Sequence, residues 1–211
     1  SQQADPCAVE YRESGSKSWN QALDLVFDER DKEHRGSIVN LKPNTGYEIK
    51  LTHQNKDQTI KAKTLSEDFP IGKRTELKNG TLRESVTISK SGRPNAYHLV
   101  SPPKDGKTTI DVMNAEDHTL VVDANYVIIR GLELKNAAIH GIFIPRDRHH
   151  IVIEDCRITF WGRIGGPRTF GNVGNYDSAI HGHTNSGHLI IQRNLIEHPR
   201  GGSNDWDTGH P

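Results

Sequence analysis

The sequence has little that would direct it to a membrane or to nucleic acid. Its 211 residues include 27 Lys and Arg and 27 Asp and Glu, so the formal net charge is +0. Such a balance gives no overall attraction to a polyanion, although a local basic patch is still compatible with it. No run approaches the roughly 18 apolar residues of a membrane span. We therefore expect a soluble protein of one or two domains, with no nucleic-acid partner and no membrane span.

Cysteine, methionine and aromatic residues are also scarce. The chain has 2 Cys, 1 Met and 6% aromatic residues. Cys7 and Cys156 are far apart, and Cys156 falls on an inward position of the repeat described below, where a small apolar side chain suits a core. A buried free thiol is therefore expected rather than a disulfide.

Three stretches of the chain repeat one pattern of apolar residues. They are residues 127–134 (VIIRGLEL), 151–158 (IVIEDCRI) and 189–196 (LIIQRNLI). Because a repeat this short cannot bury its apolar face alone, consecutive copies must stack, and the pattern predicts a parallel β-helix. Aligned without gaps, the apolar positions coincide in three columns: Val127, Ile151 and Leu189; Ile129, Ile153 and Ile191; Leu134, Ile158 and Ile196.

A second motif, Ala-Ile-His-Gly, occurs at 138–141 and again at 179–182. His140 is therefore predicted to lie one coil below His181 at the equivalent position, in a short histidine stack. His181 and His183 are two residues apart on a predicted strand, so their side chains share a face. Histidine serves as a general acid or base near neutral pH and as a metal ligand. A catalytic or binding role, a zinc site and purely structural stacking all remain open for this pair.

Two segments of this region are predicted to be loops. Successive ladder strands begin 24 and then 38 residues apart, so the second interval carries an insertion between Thr159 and Ser178. Its Gly-rich composition predicts a loop, and insertions of this kind in solenoids often form the binding face. His149 and His150 follow a basic turn and are predicted to be solvated loop residues.

Aspartates in the loops are the second set of candidate catalytic residues. Asp177 closes the insertion, and Asp205 and Asp207 flank Trp206 in the last loop. Glycoside hydrolysis uses two carboxyl groups several ångströms apart, and an aromatic ring between carboxylates suits a sugar. A turn or capping role is the alternative for each aspartate. The candidate substrate-binding residues near these loops are Arg163, Arg168, Tyr176, Arg200 and Trp206.

The first part of the chain resembles a fibronectin type III module. Residues 41–47 (LKPNTGY) resemble the corner of that module, where the tyrosine hydroxyl bonds to nearby backbone. Residues 8–12 and 60–65 stand where its middle and last strands would be. The resemblance implies a module over residues 1–66 that lacks its first strands and serves as a spacer or docking domain, followed by a linker at 67–74.

The second part of the chain resembles the pectate-lyase-like superfamily of right-handed parallel β-helix proteins. The resemblance is carried by 79–81 leading into 86–89, and by 125–134, which is similar to the recurrent rung of that superfamily. It implies an all-β chain in which a partial fibronectin type III-like sandwich precedes the N-terminal coils of a right-handed parallel β-helix at 75–211. It also implies that further polypeptide after Pro211, or a second chain, completes the β-helix.

These resemblances imply a bacterial carbohydrate-active protein that is secreted, periplasmic or on the cell surface. The first hypothesis is a polysaccharide-degrading enzyme that acts on glycosidic bonds in a groove along the β-helix, with hydrolysis favoured over elimination. A polysaccharide lyase that cleaves a uronate glycan by β-elimination is the first alternative. No cofactor is evident from the residues, and Ca²⁺ is the one that a lyase would imply. A noncatalytic glycan-binding adhesin or tail-spike-like protein is the second alternative.

Overall fold

The computed structural model describes residues 5–163 and 177–200, and these residues form strands and no helix. The chain divides into two compact units, unit 1 at 1–68 and unit 2 at 69–211. The boundary falls inside the range 67–74 that the sequence predicts as a linker, and a strand already begins at Ile71. In the described ranges there is no helix of the length and apolarity needed to cross a membrane.

Unit 1 is built from antiparallel strands. From residue 5 onward it has six strands: β1 (Ala8–Glu13), β2 (Asn20–Gln21), β3 (Val26–Asp28), β4 (Glu33–Arg35), β5 (Gly46–His53) and β6 (Lys56–Lys63). One sheet has the order β2-β1-β5-β6, and β3 pairs with β4 in a separate hairpin. The hydroxyl of the buried Tyr47 accepts a hydrogen bond from the Lys42 N–H at 2.9 Å, which is the contact expected of a tyrosine corner.

Unit 2 is built from parallel sheets. Its strands are β7 (Ile71–Glu76), β8 (Gly80–Leu82), β9 (Val86–Ile88), β10 (Tyr97–Ser101), β11 (Thr108–Asp111), β12 (His118–Val122), β13 (Val127–Arg130), β14 (Glu133–Lys135), β15 (His140–Ile144), β16 (His149–Glu154), β17 (Arg157–Thr159), β18 (Ile180–Gly182), β19 (Gly187–Gln192) and β20 (Leu195–Glu197). Sheet A has the order β19-β16-β13-β10-β7, sheet B the order β20-β17-β14-β11-β8, and sheet C the order β18-β15-β12-β9.

The chain therefore passes through sheets A, B and C in turn and then starts again one strand further along each sheet. We call each such passage a coil. Within each of the three sheets, neighbouring strands belong to successive coils and pair in parallel. This repeating path is compatible with a parallel β-helix.

The three predicted apolar columns are confirmed by the pairing of the strands. Val127 lies beside Ile151 and Ile151 beside Leu189, and the other two columns pair in the same way. The columns also extend one coil earlier than the sequence repeat, because Val100 pairs with Ile129. Each fully buried aliphatic side chain in such a column contributes about 1.5–3 kcal/mol through its removal from water.

Sheet A is also apolar on its outer face. Side chains alternate along a strand, so Ile128 points away from the interior that holds Val127 and Ile129, yet Ile128 is 0% exposed. It forms a second cluster with Leu99 and Val152, one residue from each of three successive coils. This second apolar row was not predicted from the sequence.

Backbone in the left-handed region recurs at corners of the coil, at or next to the ends of the strands. Three sets of residues, spaced by the same 24 and 38 positions as the ladder, have φ between 51° and 70°: Tyr126, His150 and His188; Gly131, Asp155 and Arg193; Asn136, Phe160 and His198. This conformation costs an ordinary L residue roughly 1–2 kcal/mol. Tyr, Phe and Arg are not residue types that favour it, so strand pairing and packing impose the corner on them.

Both cysteines are free and buried, as predicted. Cys156 occupies the middle ladder position, where its N–H donates to the Oδ1 of Asn194 in the next coil at 2.9 Å. Burial raises the pKa of Cys156 to about 11. Its thiol is therefore protonated and unreactive at neutral pH.

Candidate functional site: a histidine column on sheet C

Three histidines of unit 2 lie on successive strands of sheet C. His118 begins β12, His140 begins β15 and His181 is the central residue of β18. We call the rings of these three residues the histidine column. Parallel pairing between β12, β15 and β18 brings the three rings together from positions spread over more than sixty residues.

The predicted equivalence of His140 and His181 is wrong. The register of β15 and β18 puts Phe143, not His140, beside His181, and Ile142 beside Ile180. The two Ala-Ile-His-Gly copies are 41 residues apart, whereas the ladder on either side of them repeats at 38. Inward aliphatic residues set the register, so the motif copies are three residues out of step.

The rings stack in spite of this offset. The centroids of His118 and His140 are 5.2 Å apart with planes 10° from parallel, and those of His140 and His181 are 4.3 Å apart at 16°. The Phe143 ring is nearly parallel to them, 4.6 Å from His118 and 5.7 Å from His181. Four rings from three coils therefore form one stacked group on sheet C.

The middle ring of the column is buried and uncharged. His140 is 7% exposed, and its Nδ1 accepts a hydrogen bond from the Ser178 N–H at 3.1 Å, so the ring proton is on Nε2. Burial, and then the charges of His181, His118 and Arg163, lower the pKa of His140 from 6.5 to about 3. His140 is thus a neutral imidazole at any physiological pH.

The outermost ring of the column, His181, is only partly buried. Burial and then the neighbouring His183 lower the pKa of His181. The His183 ring meets His181 edge-on, with centroids 6.3 Å apart and planes at 81°. The Nδ1 of His183 accepts the Thr184 N–H at 2.7 Å. His181 is therefore a neutral imidazole near the surface, which is the state that accepts a proton.

Asp177 and Arg163 connect the two ends of the inserted segment. The Oδ2 of Asp177 accepts the Arg163 N–H at 2.9 Å, and the Nε of Arg163 is 3.6 Å from Oδ1. The Asp177 side chain is 0% exposed and that of Arg163 is 44% exposed. The described part of the chain supplies no hydrogen bond to Oδ1 of Asp177. Asp177 thus directly precedes Ser178, whose N–H binds His140 of the column, but its carboxylate does not face solvent.

Arg200 binds the chain itself. Its Nη1 donates to the carbonyl oxygens of Ala137 and Gly162, at 2.6 and 2.9 Å, and to Oδ1 of Asn114 at 2.8 Å. Nη2 donates to Oδ1 of Asn136 at 3.2 Å. The guanidinium therefore joins backbone and side chains of three coils, and burial lowers the pKa of Arg200. Its role in substrate binding stays a prediction.

The remaining predicted site residues are outside the part of the chain that the structure describes. They are Arg168, Tyr176, Asp205, Trp206 and Asp207.

A buried carboxylate on sheet A was not predicted. Glu154 is 0% exposed, and its two oxygens are bound by Arg130 at 2.7 Å, by Gln192 at 2.7 Å and by Arg193 at 2.8 Å. Arg130, Glu154 and Gln192 are register partners in three successive coils. The sequence did contain a signal for this network, because Arg130 and Glu154 have opposite charges and stand at equivalent positions of the aligned repeat.

His149 and His150 are not solvated loop residues, because they begin strand β16 and both are partly buried. The His150 ring stacks between Tyr126 and His188, with centroids 4.6 and 4.4 Å away. These rings come from one of the left-handed corners described above. They form a second aromatic group, on a different corner of unit 2 from the histidine column.

No group of three or more His, Cys, Asp or Glu that could hold a metal ion occurs within residues 5–163 and 177–200. Comparison of the chain with protein-family models, with curated proteins and with solved structures gave no match.

Proposed function

We propose that this chain belongs to a polysaccharide-degrading protein of the pectate-lyase-like superfamily, secreted, periplasmic or on the cell surface. In this proposal unit 2 is a right-handed parallel β-helix, and unit 1 is a partial fibronectin type III-like module. The repeating passage through sheets A, B and C supports the first assignment. The hydrogen bond between Tyr47 and Lys42 supports the second.

The proposed cleavage centre is the outer end of the histidine column. The observation that carries it is the partly exposed, neutral ring of His181, with His183 edge-on beside it. The half-exposed Arg163 stands at the other end of the inserted segment, and its charge acts on His140 of the same column. A neutral imidazole near pH 7 is matched to proton abstraction. The arginine supplies positive charge for an anionic group of the substrate.

This geometry favours β-elimination on a uronate glycan over hydrolysis. Hydrolysis needs two carboxyl groups on either side of the glycosidic bond, and Asp177, the predicted carboxylate within the described residues, has no exposed side-chain surface. Elimination needs one base. In the proposed step His181 takes the proton from the carbon next to the uronate carboxylate, and the released electrons form a carbon–carbon double bond. The bond from carbon to the glycosidic oxygen breaks, the leaving oxygen takes a proton from water, and His181 returns its proton to the hydroxide that remains.

The test is incubation of the chain with a panel of uronate and neutral polysaccharides. Elimination creates ultraviolet absorbance from the conjugated double bond together with new reducing ends, whereas hydrolysis creates reducing ends alone. We expect His181→Ala to abolish the absorbance. The matched control is His198→Ala, because His198 is an exposed histidine that stacks on Phe160 and belongs neither to the histidine column nor to the group of Tyr126, His150 and His188. Reducing ends without absorbance, or full activity of His181→Ala, would contradict the proposal.

A noncatalytic glycan-binding protein is the second candidate function. The observation that favours it is the aromatic group of Tyr126, His150 and His188, since stacked rings at a surface suit the apolar face of a sugar. Binding of a glycan with no new reducing ends, weakened by Tyr126→Ala and unaffected by His181→Ala, would support this candidate instead.

A further inference from the structure

Two rings of the histidine column, His118 and His140, belong to earlier coils than His181 and take no part in the proposed cleavage step. Their arrangement is nonetheless specific. The His140 ring covers one face of the His181 ring at 4.3 Å and 16°, and His118 is stacked against His140 at 5.2 Å and 10°. The ring of Phe143, the register partner of His181, is nearly parallel to the rings of His140 and His181.

The His140 ring is itself held in one orientation. Its Nδ1 accepts the N–H of Ser178, which lies in the same coil as His181 and three residues before it. The bond ties the ring of one coil to the backbone of the next. It also assigns the ring proton to Nε2, so the surface that His140 presents to His181 is a neutral aromatic face.

We propose that His118 and His140 are positioning residues for His181: their stacked rings fix the orientation of its imidazole and keep water from one of its faces. The inference rests on the proposed role of His181 as a base. A face covered by a neutral ring disfavours the charged form of the imidazole, so the column keeps His181 ready to accept a proton.

Other titratable and charged groups surround the column and also affect the pKa values of its histidines. His183 contributes to the lowered pKa of His181, Arg163 to that of His140, and Asp117 acts on His118 in the opposite direction. For His118, His140 and His181 alike, burial is the first cause of the lowered pKa. The experiment therefore has to change how far the rings are covered from water, rather than the repulsion between charges.

Two substitutions of His140 separate the ring from its hydrogen bond. In His140→Asn the amide oxygen can still accept the Ser178 N–H, but the aromatic face is lost. In His140→Phe the face stays and the acceptor is lost. The titration of His181 is followed by NMR of its imidazole carbon-bound protons, which requires no substrate.

We expect His181 in the unsubstituted chain to titrate below its ordinary value of 6.5. His140→Asn should move that titration upward by about half a pH unit or more, because water reaches the uncovered face, and His140→Phe should leave it unchanged. If a glycan is cleaved, the acid limb of kcat/KM should move with it in His140→Asn alone.

Equal titration of His181 in the unsubstituted chain and in His140→Asn would overturn the inference, as would a His181 that titrates at or above 6.5 in the unsubstituted chain. The titration of His181 in the unsubstituted chain tests the inference even if His140→Asn does not fold. Failure of the proposed function is distinguishable, since it appears as a shifted titration of His181 with no cleavage of any glycan in the panel. A merely structural role for His140 would lower thermal stability in both variants and move neither the titration nor the pH profile.

Discussion

The imidazole of His140 makes the stability of unit 2 depend on pH. Its pKa is about 3 in the folded chain, and the ordinary value of 6.5 applies when the chain is unfolded. Above pH 6.5 neither state binds the proton, so His140 has no effect. Between 6.5 and 3 only the unfolded chain binds it, and stability therefore falls as the pH falls through this window.

We expect replacement of His140 by Phe to reduce this acid sensitivity. The free energy of unfolding should lose about 1.4 kcal/mol less per pH unit in the variant than in the unsubstituted chain between pH 6 and pH 4. Urea unfolding at a series of pH values measures the two slopes. Parallel slopes would contradict the assignment of a buried neutral imidazole to this position.

Arg200 is a second single residue that is expected to have a large effect on stability. Its guanidinium donates to two backbone carbonyls and two asparagine side chains. Removing a donor from buried acceptors leaves them without partners, and this costs more than the hydrogen bonds contribute on average.

Replacement of Arg200 by Met is expected to lower the free energy of unfolding of the chain by about 2–4 kcal/mol. The control is Arg146→Met, because Arg146 is exposed on the same unit and its loss should cost less than about 0.5 kcal/mol. Chemical denaturation gives both values. A loss at Arg200 no larger than that at Arg146 would show that the guanidinium does not hold the coils together.

Among the strands, the apolar columns carry the pairing of one coil with the next. Ile129, Ile153 and Ile191 are register partners, with exposures of 0%, 1% and 51%. The same residue type at equivalent positions therefore experiences very different burial. The contribution of each isoleucine to the stability of unit 2 therefore depends on its position in the stack of coils.

Truncation of two of these isoleucines tests that difference. Ile153→Ala should cost about 2–5 kcal/mol, the range for a buried isoleucine that leaves a cavity. Ile191→Ala should cost less than half as much, because half of its surface is already in water. Equal losses, measured by urea unfolding, would mean that Ile191 is covered in solution.

The strands were the most predictable elements. Inward aliphatic residues at intervals of two are a local signal, and the columns from Val127, Ile129 and Leu134 follow from alignment alone. The register of the histidine motif was not predictable in this way. His140 and His181 share a tetrapeptide context, but register is chosen by the inward residues Ile142 and Ile180, which the tetrapeptide alignment does not bring together.

Over the whole molecule, three exposed aliphatic residues of unit 2 lie in its last described coil. Ile191, Leu195 and Ile196 are 51%, 52% and 42% exposed, and β19 and β20 are the terminal strands of sheets A and B in the part of the chain that is described. Terminal strands with exposed apolar residues favour pairing with another strand. The expectation that further polypeptide or a second chain completes the stack stays a prediction.

We expect this coil to make the chain associate with itself in solution. Sedimentation velocity should show a weight-average mass that rises with protein concentration, and the double substitution Ile191→Lys and Ile196→Lys should reduce that rise. The matched control is Leu23→Lys, an equally apolar and more exposed residue of unit 1. Association that persists in the double variant, or is lost in the control, would assign it to another surface.

The order of apolar and polar residues was enough to predict an all-β chain, a stacked repeat in its second part, the partners within the ladder and the buried free thiols. These are properties of near neighbours, because alternation and repeat length can be read from short windows. The register of the histidine stack, the place of His118 in it, the path of Arg200 and the neutral state of His140 required the fold. They depend on how far each corner and insertion displaces the next strand, and that displacement is set by packing between residues distant in the chain.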